Sequence, residues 1–344
     1  MNNNQINEVD SLYAYRSYIE CLLSYNQGAK RSTLKTMLWA KDSNPDANFA
    51  DMEEDNESDL SQDCNLGGWQ RFQLSKFSSS FETMGKIHAD FLSQERMLPS
   101  NCELRLRFHR SDPAFALMAK DASKKYTIVM DSAILMVRHV EVAPSIREAH
   151  AKASLHSNYK FFVRKVKSLF FSHSSGWQDL SLHNVKTGRL PRRLILGMVE
   201  SASFHGKLSS SPFRFQNFEA VNVVARLNSQ SFPCDSGIEM DFKQKNYLQG
   251  YWSLLQATNN LYTNTDLDIS PWSDYPDGSC LFGFDFSPEM QSGCTGHLDL
   301  LKEGHLDLEV KLGTPSPCPI TMIVLMEFDH LIEMNADGDV VSEP

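Results

Sequence analysis

The sequence lacks any long hydrophobic run. It contains no stretch near the roughly 18 apolar residues that a membrane-spanning helix needs, and no charged-then-apolar secretion signal stands at its start. Residues 1–10 are polar and rich in asparagine. We therefore expect an intracellular protein of the nucleus or cytoplasm that is not secreted and does not contact a membrane.

The sequence also lacks cysteines in paired spacing. Its seven cysteines are spread along the chain, so reduced thiols are expected rather than a disulfide framework. Cys294 and His297, with Cys280 and Cys318 on either side, do not match the ligand spacing of a zinc site. The segment Asn335–Asp339 resembles a calcium loop, but its glycine comes too early and no closing glutamate follows, which favours a β-turn. No metal site is predicted.

No local signature of catalysis is present. The chain has no Gly-x-Ser-x-Gly nucleophile elbow and no glycine-rich phosphate loop. It also has no cluster of histidines and carboxylates of the kind that cupin-type enzymes use. We predict that the protein is not an enzyme and binds no cofactor.

The net charge of −10 is concentrated in one segment. Residues 42–66 contain nine acidic side chains and no lysine or arginine, and the rest of the chain is close to neutral. Such a run favours a solvated or disordered loop. An acidic tag that binds a partner is the alternative.

The strand signals are strongest in the second half of the chain. The short apolar run Leu194–Val199 is typical of a strand covered on both faces. Ile320–Phe328 is apolar on both faces apart from Thr321 and Glu327, which predicts a central, covered strand. Further strands are predicted at Leu104–His109, Tyr126–Val142, Phe161–Phe171, Phe218–Leu227, Cys280–Phe286 and His305–Leu312.

Helical spacing of apolar residues occurs at Tyr15–Leu23 and at Tyr247–Leu255. A third helix is predicted from Pro144 to about Ala153, because Ser145 and Glu148 form a capping-box pattern. Many short strands with turn signals between them indicate an all-β sandwich, with the short helices inserted in loops.

Basic residues cluster on two neighbouring predicted strands. They could form a face that contacts phosphate groups of a nucleic acid without reading its sequence. The alternatives are an edge strand that is charged to prevent unwanted pairing and a contact between subunits. The six candidate residues are Arg164, Lys165, Lys167, Arg189, Arg192 and Arg193.

Nine segments in a fixed order carry a resemblance to a known family. They are Tyr13–Glu20, Gly85–Phe91, Leu104–Arg107, Ala114–Met118, Ala149–Ala153, Arg189–Arg193, Pro212–Phe215, Phe282–Pro288 and Glu327–Glu333. The chain resembles the double jelly-roll major capsid (hexon-like) proteins of Maverick/Polinton elements and adintovirus-like viruses, which also occur as endogenous copies in animal genomes. The matches run from about residue 12 to the end of the chain.

The resemblance implies two stacked jelly rolls per subunit and a homotrimer that tiles an icosahedral shell. It implies no catalytic residue, a location in the virion, and partners that are other copies of the chain, penton or other minor capsid proteins. We therefore expect a first jelly roll in residues 1–143, a helical connector in 144–158 and a second jelly roll in 159–344.

The chain departs from the family pattern at its start, at Gly283 and in the acidic segment. Family members have further strands before the motif that begins here at Tyr13, so the first jelly roll is expected to be incomplete. The chain is then either a working shell subunit whose start has been placed too late or a truncated, genome-resident remnant. A host-retained jelly-roll module that contacts nucleic acid through the basic residues is the alternative function.

Overall fold

A computed structural model describes residues 12–43, 57, 64–99, 102–119, 124–290, 292 and 302–342. The polar start at 1–10, most of the acidic segment 42–66 and the motif Cys294–His297 lie outside the described residues. The helices are α1 (Tyr13–Ser24), α2 (Gln27–Arg31), α3 (Leu66–Ser75), α4 (Pro113–Ala116), α5 (Pro144–Ser154), α6 (Ser201–Phe204) and α7 (Leu248–Ala257). The strands are β1 (Tyr159–His173), β2 (Leu182–Arg189), β3 (Arg193–Glu200), β4 (Phe215–Gln216), β5 (Ala220–Leu227), β6 (Gln230–Phe232), β7 (Ile238–Glu239), β8 (Asp277–Gly278), β9 (Leu281–Asp285), β10 (Glu303–Leu312), β11 (Ile320–Met334) and β12 (Val340–Ser342).

Ten of the described strands form two antiparallel sheets with a jelly-roll topology, and β4 and β8 pair with each other in a separate two-stranded sheet. The first sheet has the order β1-β11-β3-β9, with β12 beside β11, and the second has the order β2-β10-β5-β6, with β7 beside β5. If the eight main strands are numbered along the chain, these orders read 1-8-3-6 and 2-7-4-5. Two interleaved Greek keys of this kind define the eight-stranded jelly roll. The predicted all-β class is confirmed, and the jelly roll occupies residues 159–342.

The two sheets share one hydrophobic core. On β10, the four alternating residues Leu306, Leu308, Val310 and Leu312 are at most 1% exposed, as the strict alternation of that segment predicts. They belong to the same buried cluster as side chains of β3, β9 and β11. The alternation therefore fixes which face of the second sheet meets the first.

The first sheet is covered on its other face as well. Leu194 to Val199 on β3 and Ile320 to Met326 on β11 are buried at both odd and even positions. Because successive side chains of a strand point to opposite faces, a further layer must lie on the side of this sheet away from the second sheet, which we call the outer face. Both segments were predicted to be strands covered on two sides, and both predictions are confirmed.

The third layer is built from α1, α7 and a group of aromatic side chains. The ring of Tyr15 on α1 lies 5.4 to 6.3 Å from four phenylalanine rings, those of Phe115, Phe204, Phe213 and Phe215. A Cβ atom placed on Gly197 in β3 would lie 2.5 Å from the Phe215 ring, so the aromatic group sits directly on the sheet. The predicted helices at Tyr15–Leu23 and Tyr247–Leu255 are confirmed, and both cover the sandwich.

Two predicted strands are wrong. Leu104–His109 and Tyr126–Val142 are exposed segments without a strand ladder. Strand propensity alone does not form a strand, because the backbone N–H and C=O groups need a neighbouring strand with which to pair. None lies beside either segment within the described residues. The assignment of residues 1–143 to an incomplete first jelly roll stays a prediction, as does the division into domains.

The connector helix forms without its predicted cap. Helix α5 spans Pro144–Ser154, but Ala143 is its N-terminal flanking residue and no side chain caps it. Ser145 lies inside the first turn, so the capping-box prediction is wrong. Proline at the first helical position starts the helix instead, because its fixed φ suits a helix and its missing N–H would have no partner there.

Gly283 provides the space that lets α7 pack on β9. A Cβ atom at this position would lie 2.6 Å from the Ala257 Cβ and 3.0 Å from the Leu254 Cα. We expect Gly283→Ala to lower the free energy of unfolding by about 1–3 kcal/mol through overpacking, as measured by urea unfolding. Gly28→Ala in α2 is the matched control, because its nearest neighbouring atom is 3.6 Å away. Equal losses in the two variants would contradict this packing.

Candidate functional site

Five polar side chains meet where α1 docks on the jelly roll. Arg16, Glu20 and Cys21 come from α1, and His88 and Asp90 come from segment 85–91, whose last two residues begin a short 3₁₀ helix. Arg16 forms ion pairs with Glu20 at 2.7 Å and with Asp90 at 2.6 Å. His88 Nδ1 lies 2.6 Å from Glu20 Oε2, and His88 Nε2 lies 3.5 Å from Cys21 Sγ. We call this group the arm network.

The arm network is buried and reaches the first sheet. The side chains of Arg16, His88 and Asp90 are 6%, 4% and 7% exposed. The Val166 N–H on β1 donates to Asp90 Oδ1 at 3.2 Å. The network therefore joins α1, segment 85–91 and the edge strand β1 through one continuous set of contacts.

Burial and pairing set the charges of the arm network. The hydrogen bonds from His88 to Cys21 and Glu20 raise the pKa of His88 to about 9, so the imidazole is charged at neutral pH. Burial favours the neutral acid at Glu20, but its bonds to His88 and Arg16 outweigh this effect and lower its pKa. At Asp90 burial dominates over the Arg16 charge and raises the pKa. Each buried charge has an opposite charge beside it, as stability requires.

Cys21, His88 and Glu20 have the connectivity of a thiol–imidazole–carboxylate triad. In an enzyme this order activates the sulfur as a nucleophile. Here Cys21 is 3% exposed and His88 is 5% exposed, so the sulfur is closed to a substrate. The arrangement acts as a buried polar clamp that fixes α1 to segment 85–91.

A second clamp lies at the other end of α1. The Lys30 ammonium, buried beside α1, donates to the carbonyl oxygen of Leu22 at 2.7 Å and to that of Leu267 at 2.5 Å. It also lies 5.5 Å from the Trp39 ring centroid. Burial lowers the pKa of Lys30 to about 8. The lysine ties the end of α1 to the loop that follows α7.

The predicted basic residues fall into two groups. Arg164, Arg192 and Arg193 gather around two acidic side chains of β11, Glu327 and Asp329. Arg193 pairs with Glu327, Arg164 lies 3.8 Å from the same carboxylate, and Arg192 lies 3.1 Å from Asp329. The structure thus places the three guanidinium groups beside two carboxylates, with the arginine side chains only 7% to 27% exposed.

The other three basic residues occupy different surroundings. The Arg189 guanidinium donates to the backbone oxygen of Asp329. Lys165 and Lys167 lie opposite Phe328 and Met326 in the register of β1 with β11, on the other face of the sheet from Arg164. Their proposed contact with nucleic acid or with another subunit stays a prediction.

Sequence reasoning missed the arm network, although a signal for it was present. Apart from Cys21, its side chains belong to Tyr13–Glu20 and Gly85–Phe91, two of the segments that carry the family resemblance. Phe115, Phe213 and Phe215, which surround Tyr15, belong to two further segments of that set. Four segments that are distant in sequence therefore converge on the junction between α1 and the outer face. Residues of these four segments therefore pack together in the folded chain.

Other features of the described residues are simpler. Asn335–Asp339 forms the predicted turn between β11 and β12, in which Asp339 N donates to Asn335 Oδ1 at 2.8 Å. No group of three or more histidine, cysteine or acidic side chains in the described part of the chain is arranged to hold a metal ion. Among the helices that the structure describes, none is long and apolar enough to cross a membrane.

Comparisons with known proteins give distant similarities. No family model matches the chain. An uncharacterised protein from Caenorhabditis elegans is 23% identical in sequence over 332 residues, which cover 94% of this chain and 73% of that protein. Among solved structures, the PBCV-1 virus capsid is 6% identical in sequence and has a TM-score of 0.30. The mavirus major capsid protein is 10% identical with a TM-score of 0.30, and the Sputnik virophage structure is 14% identical with a TM-score of 0.28.

Each of these three alignments covers 54% of this chain, and the chain spans 52%, 41% and 38% of the respective capsid chains. These three solved structures come from virus capsids and a virophage, and their structural similarity to the chain is low. The fold assignment made here rests on the strand order of the chain itself.

The charged state of His88 predicts a pH dependence of stability. Because the folded pKa is raised from 6.5 to about 9, this contribution is fully present below pH 6.5 and is lost as the pH rises through 9. It amounts to at most about 3 kcal/mol. We expect the free energy of unfolding of the unchanged chain, relative to that of His88→Gln, to fall between pH 6.5 and 9 in chemical denaturation.

The comparison with the variant is needed because the contribution of Lys30 to the free energy of unfolding changes with pH in the opposite direction. Its folded pKa is lowered to about 8, so its contribution rises with pH above that value in both proteins and cancels in the difference. His305→Gln, at an exposed histidine, is the matched control and should leave the profile of the unchanged chain intact. A difference between the chain and His88→Gln that does not vary with pH would contradict the buried charge.

Proposed function

We propose that the protein is a structural subunit of the capsid type, which associates into homotrimers that tile a shell. The observation that carries the proposal is the strand order of residues 159–342, because the eight-stranded jelly roll is a recurrent fold of virus capsid subunits. The nine ordered sequence segments support the same class. Function in such a protein lies in its contact surfaces with other subunits rather than in a reactive centre.

The surface of the single chain supports association. Segment 126–140 exposes apolar side chains, including Val129 at 78% and Ile134 at 83%. Contiguous exposed apolar surface on this scale is typical of a protein-interaction site. An isolated subunit leaves this surface in water, whereas a symmetric trimer can bury the same surface in each of its three copies. Penton and other minor capsid proteins are further proposed partners.

The native mass of the purified chain tests the proposal. We expect a species of three times 39.0 kDa in sedimentation equilibrium at micromolar concentration, because closed cyclic assembly satisfies the same contact in every copy. A monomer across the accessible concentration range would contradict a shell subunit. It would favour a genome-resident copy that no longer assembles.

The nucleic-acid alternative has its own readout in the same preparation. A monomer that is retained on DNA, with an affinity that falls steeply as salt rises, would favour the binding module and overturn the shell subunit. Arg164, Arg192 and Arg193 lie beside Glu327 and Asp329, so two of their three positive charges are already compensated. We therefore expect no steep salt dependence.

A further inference from the structure

A pocket of about 380 Å³ lies beside the start of β1. Arg96 and Met97 line it on one side, and residues 157–161 line it on the other. Sites that bind small molecules enclose roughly 300–1,000 Å³, so this pocket has room for a small ligand. None of its lining residues belongs to the arm network, to the six basic candidates or to segment 126–140. The pocket is therefore separate from the surfaces described above.

The wall of the pocket on the side of β1 is apolar and fixed. Phe161 is 2% exposed and belongs to a second buried cluster that includes Phe91 and Ile332. The rings of Phe91 and Phe161 lie 5.4 Å apart in an edge-to-face contact, and Tyr159 packs against the same cluster. Since close-packed side chains hold one arrangement, this wall is present before a ligand binds.

The Arg96 guanidinium is held at the other side of the pocket. Its Nη1 donates to the Lys160 oxygen at 2.6 Å, and its Cζ lies 5.8 Å from the centroid of the Phe162 ring. The backbone at Arg96 is fixed as well, because its N–H donates to Gln94 Oε1 at 2.6 Å and its oxygen accepts from the Gln94 amide. The guanidinium is therefore positioned by its neighbours.

The charge of Arg96 has no carboxylate beside it in the part of the chain that the structure describes. Lys160, the other cation that lines the pocket, pairs with Glu333 at 3.1 Å. Asn158 donates to the second oxygen of Glu333 at 3.0 Å. The hydrogen bonds from Asn158 and Lys160 lower the pKa of Glu333, so this carboxylate is ionised and already engaged. The pocket thus carries one excess positive charge, at Arg96.

A positioned guanidinium opposite an apolar wall matches a ligand with two parts. Guanidinium groups bind carboxylates and phosphates through parallel N–H donors, and among the described residues only Nη1 of Arg96 has an acceptor. Tyr159 and Phe161 offer aromatic contact to an apolar body. A small polar anion would leave this wall in water, and a neutral apolar molecule would leave the charge unpaired. An organic anion satisfies both.

We propose that this pocket binds a small organic anion. The carboxylate or phosphate group of the ligand pairs with Arg96, and its apolar part lies against Tyr159 and Phe161. One chain supplies the whole pocket, so binding does not require the proposed assembly. Failure of the chain to form a trimer would therefore leave the pocket in place.

A titration of the full chain, followed by NMR of the ligand, tests both parts of the ligand. Phenyl phosphate and phenylacetate share the ring and differ in the anionic group. We expect saturable binding of at least one, with a Kd of about 1 mM, and the tighter of the two identifies the preferred group. 2-Phenylethanol, which lacks the charge, should bind at least about tenfold more weakly.

Inorganic phosphate and acetate carry the charge without the ring. As competitors they should displace the bound probe only at concentrations at least about tenfold higher than the probe itself requires. Equal binding of 2-phenylethanol, or equal competition by the inorganic ion, would reduce the site to a surface contact and overturn the inference. No saturable binding of either aromatic anion up to about 20 mM would also overturn it.

Substitution of Arg96 tests the positioned charge. Arg96 is exposed, so Arg96→Gln should keep the circular dichroism spectrum and the urea midpoint of the unchanged chain. We expect its affinity for the bound probe to fall at least about tenfold. Arg96→Lys keeps the charge but loses the planar donor pair, and its affinity should lie between the two. Arg105→Gln, at an arginine that is 67% exposed outside the pocket, is the matched control and should bind normally. Unchanged affinity in Arg96→Gln would contradict the site.

Two further measurements locate the ligand without altering Arg96. Ser157→Trp places a large side chain at an exposed lining residue, and it should weaken binding at least about tenfold by filling the pocket. In the unchanged chain, the photoreactive carboxylate 4-benzoylbenzoate should label peptides that contain Arg96 or residues 157–161. Normal binding in Ser157→Trp, or labelling confined to other peptides, would overturn the inference.

Discussion

The architecture depends on the burial of one sheet on both faces. Leu194 to Val199 and Ile320 to Met326 are apolar on both faces of their strands apart from Thr321, so a two-layer sandwich would leave about half of these side chains in water. The second sheet covers one face, and α1, α7 and the phenylalanine group around Tyr15 cover the other. The N-terminal part of the chain is thus a structural layer of the jelly roll, although it contributes no strand within the described residues.

The arm network explains how the charged residues of the amphipathic helix α1 can be buried in that layer. A helix held by apolar contacts alone could slide on the sheet, whereas paired charges at Arg16, Glu20, His88 and Asp90 fix one position. Removing one partner of a buried pair leaves an uncompensated charge, which costs far more than a surface pair contributes. Position and charge balance are therefore coupled at this junction. The same reasoning applies to the arginines beside Glu327 and Asp329, which stabilise the sheet by compensation.

The sequence predicts those elements whose signal is local. Alternation in His305–Leu312 and continuous apolarity in Ile320–Phe328 specified both strand and burial, and the spacing of Tyr15 to Leu23 specified a helix with its buried face. Wherever the outcome depends on a distant partner, local patterns do not determine it. Tyr126–Val142 has strand composition but no neighbouring strand in the described residues, and the charges of Arg192 and Arg193 are compensated by residues more than 130 positions away. The arm network joins α1 to a segment 67 or 68 residues further along the chain.

Hydrogen exchange of backbone amides, followed by mass spectrometry on the full chain, tests this account most directly. If α1 is a layer of the fold, its amides open only together with the sheet that it covers. The account predicts that peptides from α1 and from β3 and β11 share one high free energy of opening, and that segment 126–140 exchanges fast at concentrations where the chain is monomeric. Fast exchange throughout α1, while β3 and β11 stay protected, would contradict the three-layer arrangement.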